Sequence, residues 1–239
     1  MLDDDATPGS EVLEALPVFP LPNAVLLPGM ILPLNVFEPR YLALVDHVLQ
    51  GGKHIGVPLL RPGFDSAFDG SPELEPVFGI GRVVSHRPLP DGRRFIRLEG
   101  LGRVRARQEL PARAEFRELS VEALPEIAPA DSHQLEVLRA QLERICTTLE
   151  VDDRRMVASV LEIADARVML YAIAAIMPTL GYATQAEVRG GSRAPLLELQ
   201  QQCLDAETAD ARVECLIGGA ADICARLADS GSWPRQAWN

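Results

Sequence analysis

Lys53 is the only lysine in the 239 residues, and two kinds of catalytic site depend on a lysine. A phosphate-binding P-loop ends in Gly-Lys followed by Ser or Thr, whereas Gly52-Lys53 is followed here by His54. A lysine that activates a serine nucleophile must be desolvated beside that serine, and no such motif surrounds Lys53. The sequence therefore argues against both an ATPase and a Ser-Lys peptidase.

The other residue types that commonly do chemistry also lack the necessary spacing. The four histidines show no HExxH pattern, no serine lies in a GxSxG turn, and the four cysteines form no CxxC pair. We therefore expect buried, reduced thiols, no metal, no cofactor and no catalytic residue. Carboxylates are abundant, so a small hydrolase that uses an acid-base pair of Asp or Glu stays open as an alternative.

The distribution of charge limits the classes of ligand. The chain has 34 acidic and 23 basic residues and a formal net charge of -11, which argues against DNA binding. A local exception is the alternation of Arg103, Arg105 and Arg107 with apolar residues, which places the three arginines on one strand face. This face could bind RNA or a phosphorylated ligand. The competing interpretation is ion pairing with carboxylates of neighbouring strands, such as Glu99, Glu115 and Glu118.

Residues 16–124 are predicted to form a β-rich module. Short apolar runs alternate with Pro and Gly, which is typical of strands joined by turns. Because each proline removes a backbone donor, we expect the proline-rich run of residues 17–33 to form edge strands or irregular extended segments. Pro90-Asp91-Gly92 predicts a hairpin turn between two strands.

Two segments of this module depart from the strand pattern. Helical spacing over residues 38–49, with Pro39 in the first turn, predicts a short amphipathic helix. Residues 61–76 are rich in Pro, Gly, Asp and Ser, and they are predicted to form a long surface loop that carries Phe64 and Phe68.

The second half of the chain has helical periodicity. Asp131, with Gln134 three positions later, predicts a capping pair for the first helix. Residues 209–228 carry a continuous apolar stripe with a period near 3.6. The predicted organisation is therefore an acidic tail, a β-rich module, a helical subdomain and a C-terminal tail, over residues 1–15, 16–124, 131–229 and 230–239.

Three blocks of sequence resemble, in the same order, the substrate-recognition domain that precedes the motor in Lon proteases. The first follows the family's pattern of an LPVFPL opening, a PG turn, a PL pair and FEPRY, and the second follows its PDGR hairpin. The third, at residues 200–213, matches loosely. The matching positions of the first block are residues 16–21, 28–29, 33–34 and 37–41, and those of the second are Gly79 or Gly81, residues 90–93, Gly100 and Arg103.

The resemblance implies an α+β fold, with a PUA-like β-barrel module, a short packed helix and a C-terminal α-helical bundle. It also implies a stand-alone member of the family that lacks the ATPase and peptidase domains. Its function would be non-enzymatic binding of unfolded or exposed polypeptide segments, as an adaptor or holdase that acts alone or with a separate Lon-type protease. On this interpretation the peptide contacts are apolar side chains on loops, namely Met30, Phe64 and Phe68.

The motif residues themselves are interpreted as structural. Glycines permit tight turns, and a Glu–Arg pair at a helix start is expected to be a structural ion pair or a cap rather than a ligand site. These residues are Pro20, Pro28, Gly29, Phe37, Glu38, Arg40, Tyr41, Gly92, Gly100 and Arg103.

The sequence also gives an expectation for the location of the protein. No basic and apolar leader begins the chain, and the longest apolar run, residues 168–177, is far shorter than the roughly 20 residues that span a bilayer. We therefore expect a cytoplasmic protein without membrane contact. The preference for Arg over Lys favours a bacterial source, and a dimer stays open.

Overall fold

The computed structural model describes residues 8–63, 72–182 and 195–229. The chain forms two compact units, Met1–Glu126 and Ile127–Asn239. Phe64 and Phe68 lie outside the described residues, as do both predicted tails except residues 8–15. The domain boundaries expected from the sequence stay predictions.

Two helices and six strands lie in the described part of the first unit. A short helix lies within the segment that was expected to be a tail. In chain order the elements are α1 Ser10–Glu14, β1 Leu16–Val18, β2 Ile31–Val36, α2 Pro39–Gln50, β3 His54–Val57, β4 Val77–Pro88, β5 Arg94–Glu109 and β6 Arg117–Leu124.

The six strands form one sheet in the order β2-β5-β4-β3-β1-β6, and β5 pairs additionally with β6. The pairings of β1, β3, β4, β5 and β6 therefore form a closed circuit, while β2 extends the sheet beside the first half of β5. All pairs are antiparallel except β1 with β3. The assignment of a PUA-like barrel stays a prediction.

Helix α2 belongs to the core of this unit. Its apolar side recurs at helical spacing, and Tyr41, Leu44, Val45 and Val48 are buried. These side chains join one apolar cluster with residues of the strands, among them Ile55 of β3 and Ile96 of β5. The helix that begins at Pro39 is thus positioned by the sheet against which it packs.

Prolines occupy two different environments in the strands. Pro33 lies in β2, at the edge of the sheet, as the sequence predicts. The expectation is wrong for Pro17, because β1 pairs with β6 on one side and with β3 on the other. The parallel pairing of β1 with β3 is between Val18 and Gly56, so Pro17 precedes that ladder and its missing donor is not needed there.

The second unit contains five described helices. Helix α7 packs against α3, α5 and α6, and α4 packs against α3 and α5. Within the described ranges, no helix combines the length and the apolar character that crossing a bilayer requires. A helical bundle stays a prediction. The helices are α3 Ser132–Cys146, α4 Val151–Leu161, α5 Ala166–Tyr182, α6 Pro195–Asp205 and α7 Ala209–Asp229.

The predicted capping pair of α3 forms only in part. Asp131 Oδ1 accepts hydrogen bonds from the backbone N–H groups of His133 and Gln134, at 2.9 and 3.1 Å. The side chain of Gln134 donates instead to Glu214, and the backbone N–H of Asp131 donates to Asp210 Oδ1. In a complete capping pair the side chain of Gln134 would accept a hydrogen bond from the backbone N–H of Asp131. Contacts with α7 replace that hydrogen bond.

Candidate functional site

A cavity of about 130 Å³ opens on the first unit, between the chain that follows β1 and the start of α2. We call it the Pro20–Tyr41 cavity. Among the described residues, most of the wall is apolar or aromatic, and the charged groups are two arginines and one glutamate. The lining residues are Phe19, Pro20, Leu21, Pro22, Glu38, Arg40, Tyr41, Leu60, Pro72 and Arg117.

The first wall of the cavity is an extended segment, residues 19–22, that is held by backbone hydrogen bonds. The N–H of Phe19 donates to Gly56 O at 2.8 Å, and the N–H of Leu21 donates to Pro58 O at 3.0 Å. The N–H of Leu60 donates back to Leu21 O at 2.9 Å. The prolines at 20 and 22 lack N–H groups, so the donors of this segment are Phe19 and Leu21.

The second wall is the first turn of α2. Pro39 provides the helical φ at the first position, and the carbonyl of Glu38 accepts from the N–H groups of Tyr41 and Leu42 at 3.0 and 2.9 Å. The Glu38 side chain makes no capping hydrogen bond. It forms an ion pair with Arg40 instead, with Arg40 Nη2 at 2.8 Å from Glu38 Oε2. Of the two structural roles expected for this pair, only the ion pair is observed.

The floor is formed by two aromatic rings. The ring centroids of Phe19 and Tyr41 are 4.1 Å apart, with an angle of 31° between the ring planes. The guanidinium carbon of Arg40 lies 4.6 Å from the Tyr41 ring centroid, within the range of a cation–π contact. Burial raises the pKa of the Tyr41 phenol above its ordinary value, and nearby Arg40 opposes part of that shift. The phenol therefore stays neutral at physiological pH.

Arg117 closes the cavity from the strand β6 side. Its Nε and Nη2 donate to both carboxylate oxygens of Glu109, at 2.8 and 2.7 Å. Its Nη1 donates to Pro72 O at 2.9 Å, which fixes Pro72 at the rim. A bidentate pair of this kind holds a guanidinium in one orientation. Arg117 is therefore a rigid part of the wall.

The lining of the cavity offers apolar and polar contacts to a ligand. Among the residues that the structure describes, the lining includes no histidine, cysteine, serine or lysine, and the phenol of Tyr41 is held neutral. A space of this volume accommodates one apolar side chain, and the stacked rings and prolines offer it dispersion contacts. The ion pair of Glu38 and Arg40 lies at the same cavity, where a polar backbone could find both donors and acceptors.

The structure brings together four of the motif residues that the sequence analysis interpreted as architecture. Pro20, Glu38, Arg40 and Tyr41 all line the cavity. The sequence analysis did not single out the remaining lining residues. Phe19 and Leu21 lie inside the recognised block, whereas Leu60, Pro72 and Arg117 come from distant parts of the chain and carry no local signal.

The other motif residues lie elsewhere. Gly29 and Gly92 have φ values of 76° and 84° in turns, and Gly100 accepts and donates backbone hydrogen bonds with Gly29 and Met30. Pro28 is buried at the same turn, while Phe37 is 64% exposed. Of the predicted peptide contacts, Met30 is half-buried and outside the cavity lining, and Phe64 and Phe68 lie beyond the described residues.

The three arginines of β5 do not form one available cationic face. Arg103 is buried, with its Nε 2.5 Å from Glu126 Oε1. Arg107 forms an ion pair with Glu122 of β6 at 3.2 Å, and Arg105 is exposed opposite the same glutamate. The expectation of a common phosphate-binding face is therefore wrong for Arg103, because the chain after β6 covers it. The competing interpretation, ion pairing with carboxylates, is correct for Arg103 and Arg107. Their partners are Glu126 and Glu122 and not the glutamates that the sequence suggested.

Among the known proteins that are similar to this chain are Lon proteases and domains of Lon proteases. A family model described as the ATP-dependent protease La (LON) substrate-binding domain matches residues 15–185. Lon protease 2 of Sorangium cellulosum is 31% identical over 136 residues, which cover 57% of this chain and 17% of that protein. Lon protease of Roseiflexus castenholzii is 35% identical over 98 residues, which cover 41% of this chain and 12% of that protein. The chain thus matches less than one fifth of the length of these relatives.

A solved structure shows the same fold. The N terminal domain of Mycobacterium avium complex Lon protease superposes with a TM-score of 0.62 at 15% identity, and the match covers 87% of this chain and 99% of that chain. The described chain is therefore a mixed α and β protein with the fold of a Lon N-terminal domain. Because the family model matches well over half of its length, the chain belongs to the Lon substrate-binding domain family.

Proposed function

We propose that this protein recognises exposed polypeptide segments, and that one apolar side chain of such a segment enters the Pro20–Tyr41 cavity. The observation that carries the proposal is the placement of the most family-specific sequence block on the walls of an apolar cavity. Apolar anchors in desolvated pockets dominate the affinity of most peptide complexes. The name of the family, a substrate-binding domain, agrees with a role in recognition.

The charged groups at the cavity support a main-chain contribution to binding. Arg40 is 42% exposed and Glu38 is 37% exposed at their side chains, so both reach solvent while remaining paired. An extended peptide presents alternating N–H and C=O groups, which a glutamate and an arginine can bind without reading its sequence. We therefore expect broad selectivity, with a requirement for an apolar residue.

We extend the proposal to the cellular role and to the architecture that the family resemblance implies. The protein would act as a non-enzymatic adaptor or holdase in protein quality control, alone or with a separate Lon-type protease. Its first unit would be a PUA-like barrel and its second unit a helical bundle. No observation on the described residues favours RNA binding or a carboxylate-based hydrolase over this role.

The proposal is tested by binding of an uncharged peptide that carries an uncharged fluorophore and in which a single leucine is flanked by glycine and serine. We expect binding at micromolar protein, measured by fluorescence anisotropy, and at least tenfold weaker binding when the leucine is replaced by serine. The variant Leu21→Glu places a carboxylate at the half-buried cavity wall and is expected to weaken binding by a similar factor.

Leu110→Glu provides the matched control. Leu110 is a half-buried leucine of the same unit that does not line the cavity, so its replacement has a comparable cost without touching the site. Circular dichroism verifies that both variants are folded. Equal affinity of Leu21→Glu and the wild type, or equal binding of the leucine and serine peptides, would contradict the proposal.

A further inference from the structure

The outer face of strands β2, β5 and β4 carries two arginines beside exposed apolar side chains. Extended strands direct alternate residues to the same face, and along β2 the residues at 31, 33 and 35 are exposed. The register places Pro33 beside Arg97, with Ser85 beyond it on β4, and Asn35 beside Phe95, with Arg87 beyond it. We call this surface the β2–β5–β4 face.

The arginines of this hairpin differ in their partners. Arg82 forms an ion pair with Glu99, Arg93 with Asp91, and Arg94 with Asp46. Arg87 and Arg97 have no ion-pair partner among the residues that the structure describes. They occupy neighbouring positions on adjacent strands, because Ser85 is opposite Arg97 and Arg87 is opposite Phe95. Two exposed positive charges of a chain with net charge -11 are thus next to each other.

Apolar side chains lie on the same part of the surface. Ile31 is 42% exposed on β2, and Val84 is 45% exposed where the β4–β5 register shifts. Phe95 is half-buried between Asn35 and Arg87, and Phe37 follows β2 directly. Exposed apolar groups that cluster beside charges are typical of interaction surfaces.

From this placement we infer that the β2–β5–β4 face binds an acidic polypeptide segment in which carboxylates alternate with apolar residues. The carboxylates pair with Arg87 and Arg97, and the apolar side chains contact Ile31, Val84 and Phe95. The face is separate from the Pro20–Tyr41 cavity, with which it shares no residue, so the inference stands without the proposed function. In a polypeptide-binding protein it would add a preference for acidic segments.

The chemistry of the face favours a peptide over a nucleic acid. Single-stranded RNA is held by a basic groove that follows many phosphates. Here Glu99 and Asp91 lie on the same hairpin as the two available arginines, so a continuing line of phosphates would meet carboxylates. A peptide with two or three carboxylates needs only the two guanidinium groups.

The test uses a labelled ten-residue peptide of alternating glutamate and leucine, its lysine-leucine counterpart, and a ten-nucleotide uridine RNA. We expect micromolar binding of the acidic peptide at 50 mM NaCl. The double variant Arg87→Gln/Arg97→Gln is expected to weaken this binding about tenfold, and the difference is expected to shrink to about twofold at 500 mM NaCl because salt screens exposed charges. Val84→Ser is expected to weaken it about threefold.

Arg113→Gln is the matched control, since Arg113 is an exposed arginine of the same unit outside the face, and we expect it to leave the affinity unchanged. The inference is overturned by equal binding to the double variant and the wild type, or by binding of the lysine peptide or the RNA that equals binding of the acidic peptide. The loss of leucine-peptide binding in Leu21→Glu reports on the cavity, whereas the loss of acidic-peptide binding in the double variant reports on the face. The two proposals can therefore fail separately.

Discussion

Arg103 and Glu126 form a buried ion pair in which Arg103 Nε lies 2.5 Å from Glu126 Oε1, and their side chains are only 4% and 10% exposed. Arg103 Nη2 also donates to Pro125 O at 3.2 Å. The pair joins the middle of β5 to the chain immediately after β6. An arginine that belongs to a family motif therefore anchors the end of the first unit.

Removing the carboxylate of this pair is expected to be costly. Glu126→Ala leaves the buried guanidinium without its carboxylate, and breaking a buried pair from one side typically costs about 3–5 kcal/mol. We expect a loss of about 3 kcal/mol in the free energy of unfolding, measured by urea denaturation. The comparison variant is Asp152→Ala, which removes the partner of Arg155 in a pair whose side chains are 78% and 95% exposed. Its effect is expected to be below about 0.5 kcal/mol, and similar losses for the two variants would contradict our account of Arg103.

Local signals were sufficient for part of the fold. The turn chemistry of Pro90-Asp91-Gly92 predicts the β4–β5 hairpin, because Gly92 has the φ of 84° that residues with a Cβ resist. The period of the apolar residues predicts α2 to within one residue at each end, since its buried side faces the sheet.

Other features depend on contacts that no local pattern contains. Arg117 reaches the Pro20–Tyr41 cavity through Pro72, which is 45 positions away in the chain. Arg103 lies in a strand whose alternating pattern is typical of a surface strand. It is buried because the chain at Glu126 folds back over it. The family motif therefore identifies one segment of the cavity, whereas the rest of the wall comes from residues that are distant in the chain.

Two glycines in β5 allow a matched test of close packing. A Cβ at Gly100 would lie 2.2 Å from Leu27 O, which is a backbone atom, whereas a Cβ at Gly102 would have no atom within 4 Å. Gly100→Ala must therefore displace the chain that crosses β5, and we expect a loss of about 3 kcal/mol or more in the free energy of unfolding. Gly102→Ala is expected to change it by less than about 1 kcal/mol. Thermal and urea denaturation would measure both, and equal effects would disprove the crossing.

Lys53, three residues beyond the end of α2, has a φ of 60°, a conformation that glycine adopts more easily. Its N–H donates to Val48 O at 3.0 Å and closes the end of the helix. We expect Lys53→Gly to stabilise the protein by about 0.5–1 kcal/mol, since relief of the left-handed strain exceeds the entropic cost of glycine. Lys53→Val is expected to destabilise it by about 1–2 kcal/mol. A decrease in melting temperature for the glycine variant would be the contrary result.

Cys203 is expected to be the least reactive of the four thiols. It is fully buried in α6, and burial raises its pKa to about 12. Because the thiolate is the reactive species, native Cys203 should resist a disulfide reagent such as DTNB at pH 8. Cys203→Ser should therefore leave the number of thiols that react with the native protein unchanged, while lowering by one the number that react in denaturant. Loss of a reactive thiol in the native variant would contradict this expectation.

His54 is expected to make the stability of the protein depend on pH below neutrality. Burial, with a smaller contribution from Arg82 on the adjacent strand, lowers the pKa of His54 below its ordinary value of about 6.5. Its Nδ1 is buried and has no hydrogen-bond partner among the described residues. As the pH falls through 6.5, the unfolded chain binds a proton at this histidine before the folded protein does, so stability decreases until the pH reaches the lower pKa of the folded state.

Urea denaturation between pH 7.5 and 5 should therefore show a smaller decrease in the free energy of unfolding for His54→Gln than for the wild type. His86→Gln, which replaces an exposed histidine of the same unit, is the comparison variant. Identical pH profiles for His54→Gln and the wild type would show that His54 titrates alike in the folded and unfolded chains.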